Sequence, residues 1–200
     1  EVRIYNRVLT PTEITEQYTA GSARMKTNTE ISPSSITSDL VGHWTFNGAN
    51  TTWASATTGT TNDISGNNNT GTMTNMSRST SPVAGKLGQA LKFDGTDDYI
   101  NAGSGASLDD LTAFTYSLWV YKNENDMIKI LLSKYEPYGG RGKSLFTIDS
   151  YWNSAANGLS FTIDRATTQA WARTTANALP AFGWYLVTAT YSSSDGPRIY

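Results

Sequence analysis

The sequence predicts an all-β protein, a two-sheet antiparallel β-sandwich with one short N-terminal helix, on three observations. Apolar residues recur with a period of two in "DLVGHWTF", "AFTYSLWVY" and "GLSFTID", the alternation of a strand that buries one face. Clusters of Gly, Asn and Asp, among them "SGNNNTG", "DGTDD", "YGGRGK" and "SSSDGP", separate the runs, so strand follows turn with no helical crossover. The 200 residues are 38% apolar, enough for one well-packed core. Sheets with this many strands must cover their apolar faces against one another.

Taken in order, Glu1 to Asn6 read as a short strand, and "LTPTEITEQYTAG" then reads as a helix with its punctuation in place. Thr10 is the N-cap, Pro11 sits where its missing N–H costs nothing, Glu13 completes a capping box and Gly21 supplies the stop. Only Ile14 and Tyr18 are apolar on it, so this stripe must pack on a larger body. Ser22 to Ser38 has the Ser, Thr, Asn and Pro of a linker, and a domain boundary is expected there. After it, Leu40, Gly42, Trp44 and Phe46 share one strand face. Phe114, Tyr116, Leu118 and Val120 share another; Ile128, Ile130 and Leu132 alternate, as do Leu159, Phe161 and Ile163.

Charge and composition exclude several functions. The net charge is -2 with the basic residues scattered, so no footprint for nucleic acid or an anionic membrane is present. No apolar run approaches the roughly 20 residues of a spanning helix, and membrane insertion is not expected. No leader pattern opens the chain. Cysteine is absent, which removes disulfides, thiolate metal sites and cysteine nucleophiles. A Cys-free chain rich in Thr, Ser, Asn, Gly and aromatics suits a bacterial exported module.

Four sets of residues carry candidate chemistry. "DISGNNN" sets Asp63, Ser65, Asn67 and Asn69 at alternate positions around Gly66, like the first half of a calcium loop; the other reading is a Gly/Asn turn built on left-handed residues. "DGTDDY" presents Asp94, Asp97 and Asp98, either a carboxylate pair of the glycosidase kind or side chains capping turn amides. His43 is the one histidine; with no cysteine and no G-x-S-x-G elbow it reads as a strand residue rather than a catalytic one. Tyr135, Tyr138, Tyr151 and Trp152 lie in or beside Gly/Asn-rich connections, where aromatic faces form a ligand platform or fill the core. The sequons at Asn50, Asn68 and Asn75 matter only in a eukaryotic secretory pathway.

The stretches "LVGHWTFN", "DISGNNNTGTM", "GKLGQALKFDGTDDYINAG", "FTYSLWVY" and "GWYLVTATYSSSDGPRIY" together resemble the laminin-G-type domain of the concanavalin A-like lectin/glucanase superfamily, common in bacterial surface and secreted proteins. Order and spacing agree over Asp39 to Tyr200. The resemblance implies a jelly-roll sandwich and a structural calcium. It makes "EVRIYNRVLTPTEI" similar to the final strand and helix of such a domain, so residues 1–21 are expected to be the end of a preceding copy, 22–38 a linker, and 39–200 a sandwich cut before its last strands. On that basis Val2 to Tyr5 should dock on a strand after Asp39, with Ile4 facing the core and Glu1 joining Asp63, Ser65, Asn67 and Asn69 as a metal ligand. Some enzymes of this fold carry an acidic Glu-x-Asp-x-x-Glu strand; here "FTIDSYW" offers one carboxylate. The implied function is therefore non-enzymatic: a binding or adhesion module with a glycan or surface-protein ligand, one of several domains in an extracellular or cell-surface protein. The alternative is an accessory domain of a secreted glycoside hydrolase or protease.

Overall fold

The computed structural model describes residues 1–23, 36–124, 128–136, 141–148, 157–164 and 169–200. Among these, regular structure is β-strand apart from one α-helix and two short 3-10 turns, and the strand pairs described below are antiparallel. The chain forms two compact units, Glu1–Phe114 and Thr115–Tyr200.

In the first unit β1 (Val2–Tyr5) lies antiparallel to β2 (Leu40–Trp44), with Arg3 opposite His43 and Ile4 opposite Gly42. The Asn6 N–H continues the ladder to the Asp39 carbonyl at 3.0 Å. The docking expected of the N-terminal strand on a strand after Asp39 is therefore present, and Ile4 and Tyr5 are buried. Gly42 is required by a close approach: a Cβ there would stand 2.5 Å from the Trp44 ring, which folds back over it. Four further strands, β3 (Thr51–Trp53), β4 (Gly59–Thr61), β5 (Gly71–Thr74) and β8 (Tyr99–Asn101), form a sheet in that order, and β6 (Pro82–Ala84) pairs with β7 (Gln89–Leu91) as a hairpin. Met73, Met76 and Leu91 form the core beneath, with Phe46, Trp53 and Ile100 packed against it.

The helix α1 (Pro11–Ala23) begins as its sequence predicts. The Glu13 N–H donates to Thr10 Oγ1 at 3.3 Å, and the Thr10 N–H donates back to Glu13 Oε2 at 2.8 Å, the reciprocal bonds of a capping box. Two expectations fail. Tyr18 is 55% exposed, and the helix runs through Gly21 instead of stopping there. The reason is Tyr5, which is fully buried beside Leu9, Ile36 and Ile14. A buried phenol needs partners, so Gln17, not an apolar residue, faces it and donates to its hydroxyl at 2.7 Å, while that hydroxyl donates to the Ile36 carbonyl at 3.2 Å. Ile14, Gln17 and buried Gly21 thus share the inward face. Residues 24–35 of the expected linker lie outside the described residues.

In the second unit β10 (Ile130–Glu136), β11 (Arg141–Ile148), β12 (Gly158–Asp164) and β13 (Gln169–Arg173) form one sheet in chain order, and β14 (Gly183–Ser192) lies between β9 (Phe114–Lys122) and β15 (Gly196–Ile199). Leu145, Leu159, Phe161 and Ile163 are buried, and Tyr116 of β9 meets Phe161 edge-on with ring centroids 6.0 Å apart. That contact joins the two layers of a sandwich. Two strands depart from simple alternation. Thr115 and Ser117 are as buried as Phe114, Tyr116 and Leu118, so β9 is covered on both faces. Ile128 precedes β10, Ile130 is 68% exposed, and the β10 register shifts between Ile130 and Leu132, so the isoleucine alternation does not mark a core face.

Candidate functional site

The strongest constellation in the first unit surrounds the loop after β4. Asp63 accepts four hydrogen bonds: at Oδ1 from the backbone N–H groups of His43 and Ser65, both at 2.8 Å, and at Oδ2 from Ser65 Oγ at 2.9 Å and the Asn69 N–H at 3.0 Å. Gly66 and Asn68 hold positive φ values of 94° and 59°, the left-handed residues that such a turn demands. Asn69 is buried; its side-chain amide donates to the Val41 carbonyl and to Ser107 Oγ, and its backbone carbonyl accepts from the Trp44 indole at 2.8 Å. Asn67 stays exposed and donates to Ser65 Oγ and the Leu40 carbonyl. Burial alone would raise the Asp63 pKa, but the amides of Ser65, His43 and Asn69 and the Ser65 hydroxyl outweigh it and hold the carboxyl below its ordinary value.

Glu1 is brought to the same place through His43. Its Oε1 lies 2.7 Å from His43 Nε2 and accepts from Arg3 Nε at 2.7 Å. Burial opposes ionisation, yet the His43 hydrogen bond and the Arg3 charge prevail and bring its pKa down to about 2. His43 thus links the two carboxylates, Asp63 by its backbone and Glu1 by its ring.

A calcium ion needs six to eight oxygens with lone pairs to give. The roughly four acceptor positions of a carboxylate are already met at Asp63 by N–H and O–H donors, and Glu1 faces a guanidinium and an imidazole. Asp63, Ser65, Asn67, Asn69 and Glu1, as arranged, do not fit calcium; they make a hydrogen-bonded turn that anchors β2.

Asp94, Asp97 and Asp98 form an acidic cluster whose carboxylate oxygens lie within 4.8 Å of one another. They hold the turn: Asp98 Oδ2 accepts from the Asp94 N–H at 2.8 Å, Asp94 Oδ1 from the Thr96 N–H at 2.7 Å, and Asp97 Oδ2 from the Asn75 amide at 2.9 Å. Of the aromatic platform, Tyr135 is placed on β10 opposite Gly142; Tyr138, Tyr151 and Trp152 lie outside the described residues.

The sequence reading passed over another group in the second unit. On β13 Trp171 is 55% exposed, with the Arg173 guanidinium 4.5 Å from its ring centroid. Across the ladder Arg173 pairs with Ser160 and Trp171 with Thr162. Ser160 is fully buried, and neither its Oγ nor Arg173 Nε has a hydrogen-bond partner, at a cost of about 1–3 kcal/mol for each polar atom so placed. The signal was present in "QAWAR", where Gln, Trp and Arg alternate with two alanines, a polar-aromatic face opposite a small one. Elsewhere Tyr121 and Trp184 meet edge-on at 5.4 Å, beside Phe182, which is 74% exposed with φ 66°.

A family model described as the concanavalin A-like lectin/glucanases superfamily, of laminin-G type, matches residues 94–200, more than half of the chain. No curated protein and no solved structure matches it. Laminin-G-like domains are generally non-catalytic modules that bind glycans or proteins, are typically extracellular and often hold a metal. Among the described residues no helix is long and apolar enough to cross a membrane. With antiparallel strands and one α-helix among the described residues, and with this match, the chain belongs to the laminin-G-type family of the concanavalin A-like superfamily.

Proposed function

We propose that the chain is a non-catalytic binding module of an extracellular or cell-surface protein, with a glycan or a surface protein as its ligand. Membership of the laminin-G-type family over residues 94–200 carries the reading, since function on such a fold resides in particular faces and loops rather than in the architecture. The carboxylates that invited a catalytic reading support it too: Asp94 and Asp98 accept from backbone amides within their own turn, and Asp97 accepts from the Asn75 side-chain amide, which is structural work. In this reading the Asp63 loop is a scaffold that needs no ion.

Probing an array of neutral and acidic glycans with the purified chain, together with an assay for release of reducing sugar, tests the proposal. Retention of at least one glycan class with no turnover supports it. Hydrolysis of any bound glycan overturns it. Capture of no glycan confines the ligand to protein.

A further inference from the structure

We propose that Lys122 and Asn157 of the second unit condense into an intramolecular isopeptide bond, a self-formed crosslink between the end of β9 and the residue that leads into β12. The crosslink goes beyond the binding-module reading and does not depend on it.

A lysine is seldom fully buried unless its ammonium is engaged. Lys122 is 7% exposed and Asn157 is 9% exposed. Counting in twos along β9 from Tyr116, which packs on Phe161, Lys122 falls on the same inward face. Its Nζ donates to Asn157 Oδ1 at 2.7 Å and to the Leu179 carbonyl at 3.2 Å. The asparagine is held as closely. It stands at φ 58°, its backbone carbonyl accepts from the Leu179 N–H at 2.8 Å, and its Nδ2 donates to Asn177 Oδ1 at 3.2 Å. The Phe182 N–H fixes the lysine end by donating to the Lys122 carbonyl at 2.6 Å. The carboxamide thus turns its oxygen to the amine and its nitrogen to Asn177, which is exposed.

These bonds place the reacting atoms. Asn157 Cγ lies one C=O bond, about 1.2 Å, beyond Oδ1, so Nζ stands about 3 to 4 Å from it, close to the spacing of a near-attack arrangement. The lone pair of the free amine adds to Cγ and forms the Nζ–Cγ bond. The Cγ–Nδ2 bond then breaks, and Nδ2 leaves as ammonia with a proton taken from the amine. Counted from the charged lysine, one ammonium group and one carboxamide give one amide and one ammonium ion, and no oxidant or reductant is consumed. The ion is diluted into solvent on the Asn177 side. Inside, an uncharged amide replaces a buried cation, and the cost of keeping that charge out of water goes with it. The bond joins residues 35 positions apart in sequence, one ending β9 and the other next to a strand of a different sheet, so neither strand can leave the sandwich without the other.

Intact-mass measurement of the whole chain, freshly purified and after prolonged incubation at neutral pH, tests this. The condensed chain should weigh about 17 Da less than its sequence requires, the mass of one ammonia. On a denaturing gel it should run ahead of the Lys122→Met and Asn157→Ala variants, which keep their full sequence masses. Tryptic digestion should give a branched peptide containing both residues, with no cleavage after Lys122. The full sequence mass in every sample of the unmutated chain would overturn the proposal. So would a loss of the same size that persists in Lys122→Met and gives no branched peptide, because Gly158 follows Asn157 and its amide can close on the same carbon as a succinimide. The deciding mass and the branched peptide are read from the unmutated chain, so a variant that fails to fold leaves the test intact.

Discussion

At Asp63 one side chain organises a loop and the strand beside it. Its carboxylate joins the amides of Ser65 and Asn69 to that of His43 on β2. Asp63→Ala leaves these donors without their acceptor and should destabilise the first unit by about 2–4 kcal/mol, read from the shift in the urea midpoint. The carboxyl is held below its ordinary value of 3.8 despite burial, so its stabilising contribution is fully present above that pH and is lost as the pH falls through the lower folded-state value. Asp63→Ala should therefore flatten the acid limb of a stability-against-pH curve. Calcium supplied in excess, or removed by chelator, should leave the melting temperature unchanged, because a ligand that binds the native state would raise it by mass action. A calcium-dependent rise that Asp63→Ala removes would show that the loop rearranges to hold an ion. The spacing of oxygen-bearing side chains was legible in "DISGNNN", but the number of amide donors pointing at Asp63 was not, since the His43 donor comes from 20 residues away in sequence.

Among the elements, the helix shows where sequence signals are strong and where tertiary contacts override them. Its start is local: Thr10, Pro11 and Glu13 act on groups within one turn, and Arg7 strengthens the box by donating to both Glu13 oxygens at 2.9 and 2.6 Å. Thr10→Ala should cost about 1 kcal/mol, measured as a lower denaturation midpoint with no change in slope, and Thr10→Ser should restore it. A loss below a few tenths of a kcal/mol would mean that the Arg7–Glu13 pair alone holds the first turn. Its inward face was not legible, because the polar partner that Tyr5 requires had to be supplied by Gln17, and no pattern of apolar residues records that need. Nor was Gly21 a stop: it is buried inside the helix, which continues to Ala23. The strands divide likewise. Alternation placed Phe161 and Trp44 in the core, but β9, buried on both faces, and Ile130, left exposed, answer to neighbours that a period of two does not reveal.

For the whole molecule, the all-β class was legible because turns and strands are written locally, while the pairing of residues 2–5 with 40–44 joins segments about 40 positions apart. The ladder lets that pairing be tested as a property of one chain. Arg3 and His43 are direct partners across it, and antiparallel partners have Cα atoms about 4.5–5.5 Å apart, inside the range a disulfide spans. The protein has no cysteine, so Arg3→Cys with His43→Cys introduces one possible bond. Closing a loop of about 40 residues should stabilise the native state by at most roughly 4 kcal/mol through the unfolded chain. The net gain should be smaller, because both substitutions also break the contacts of Glu1 with Arg3 and His43. On oxidation the variant should run as a compact monomer on a non-reducing gel, with a higher melting temperature than its reduced form. A covalent dimer would show instead that β1 is exchanged between two copies, since a strand edge accepts the same sequence from either source. Two free thiols under oxidising conditions would show that β1 leaves the ladder in solution.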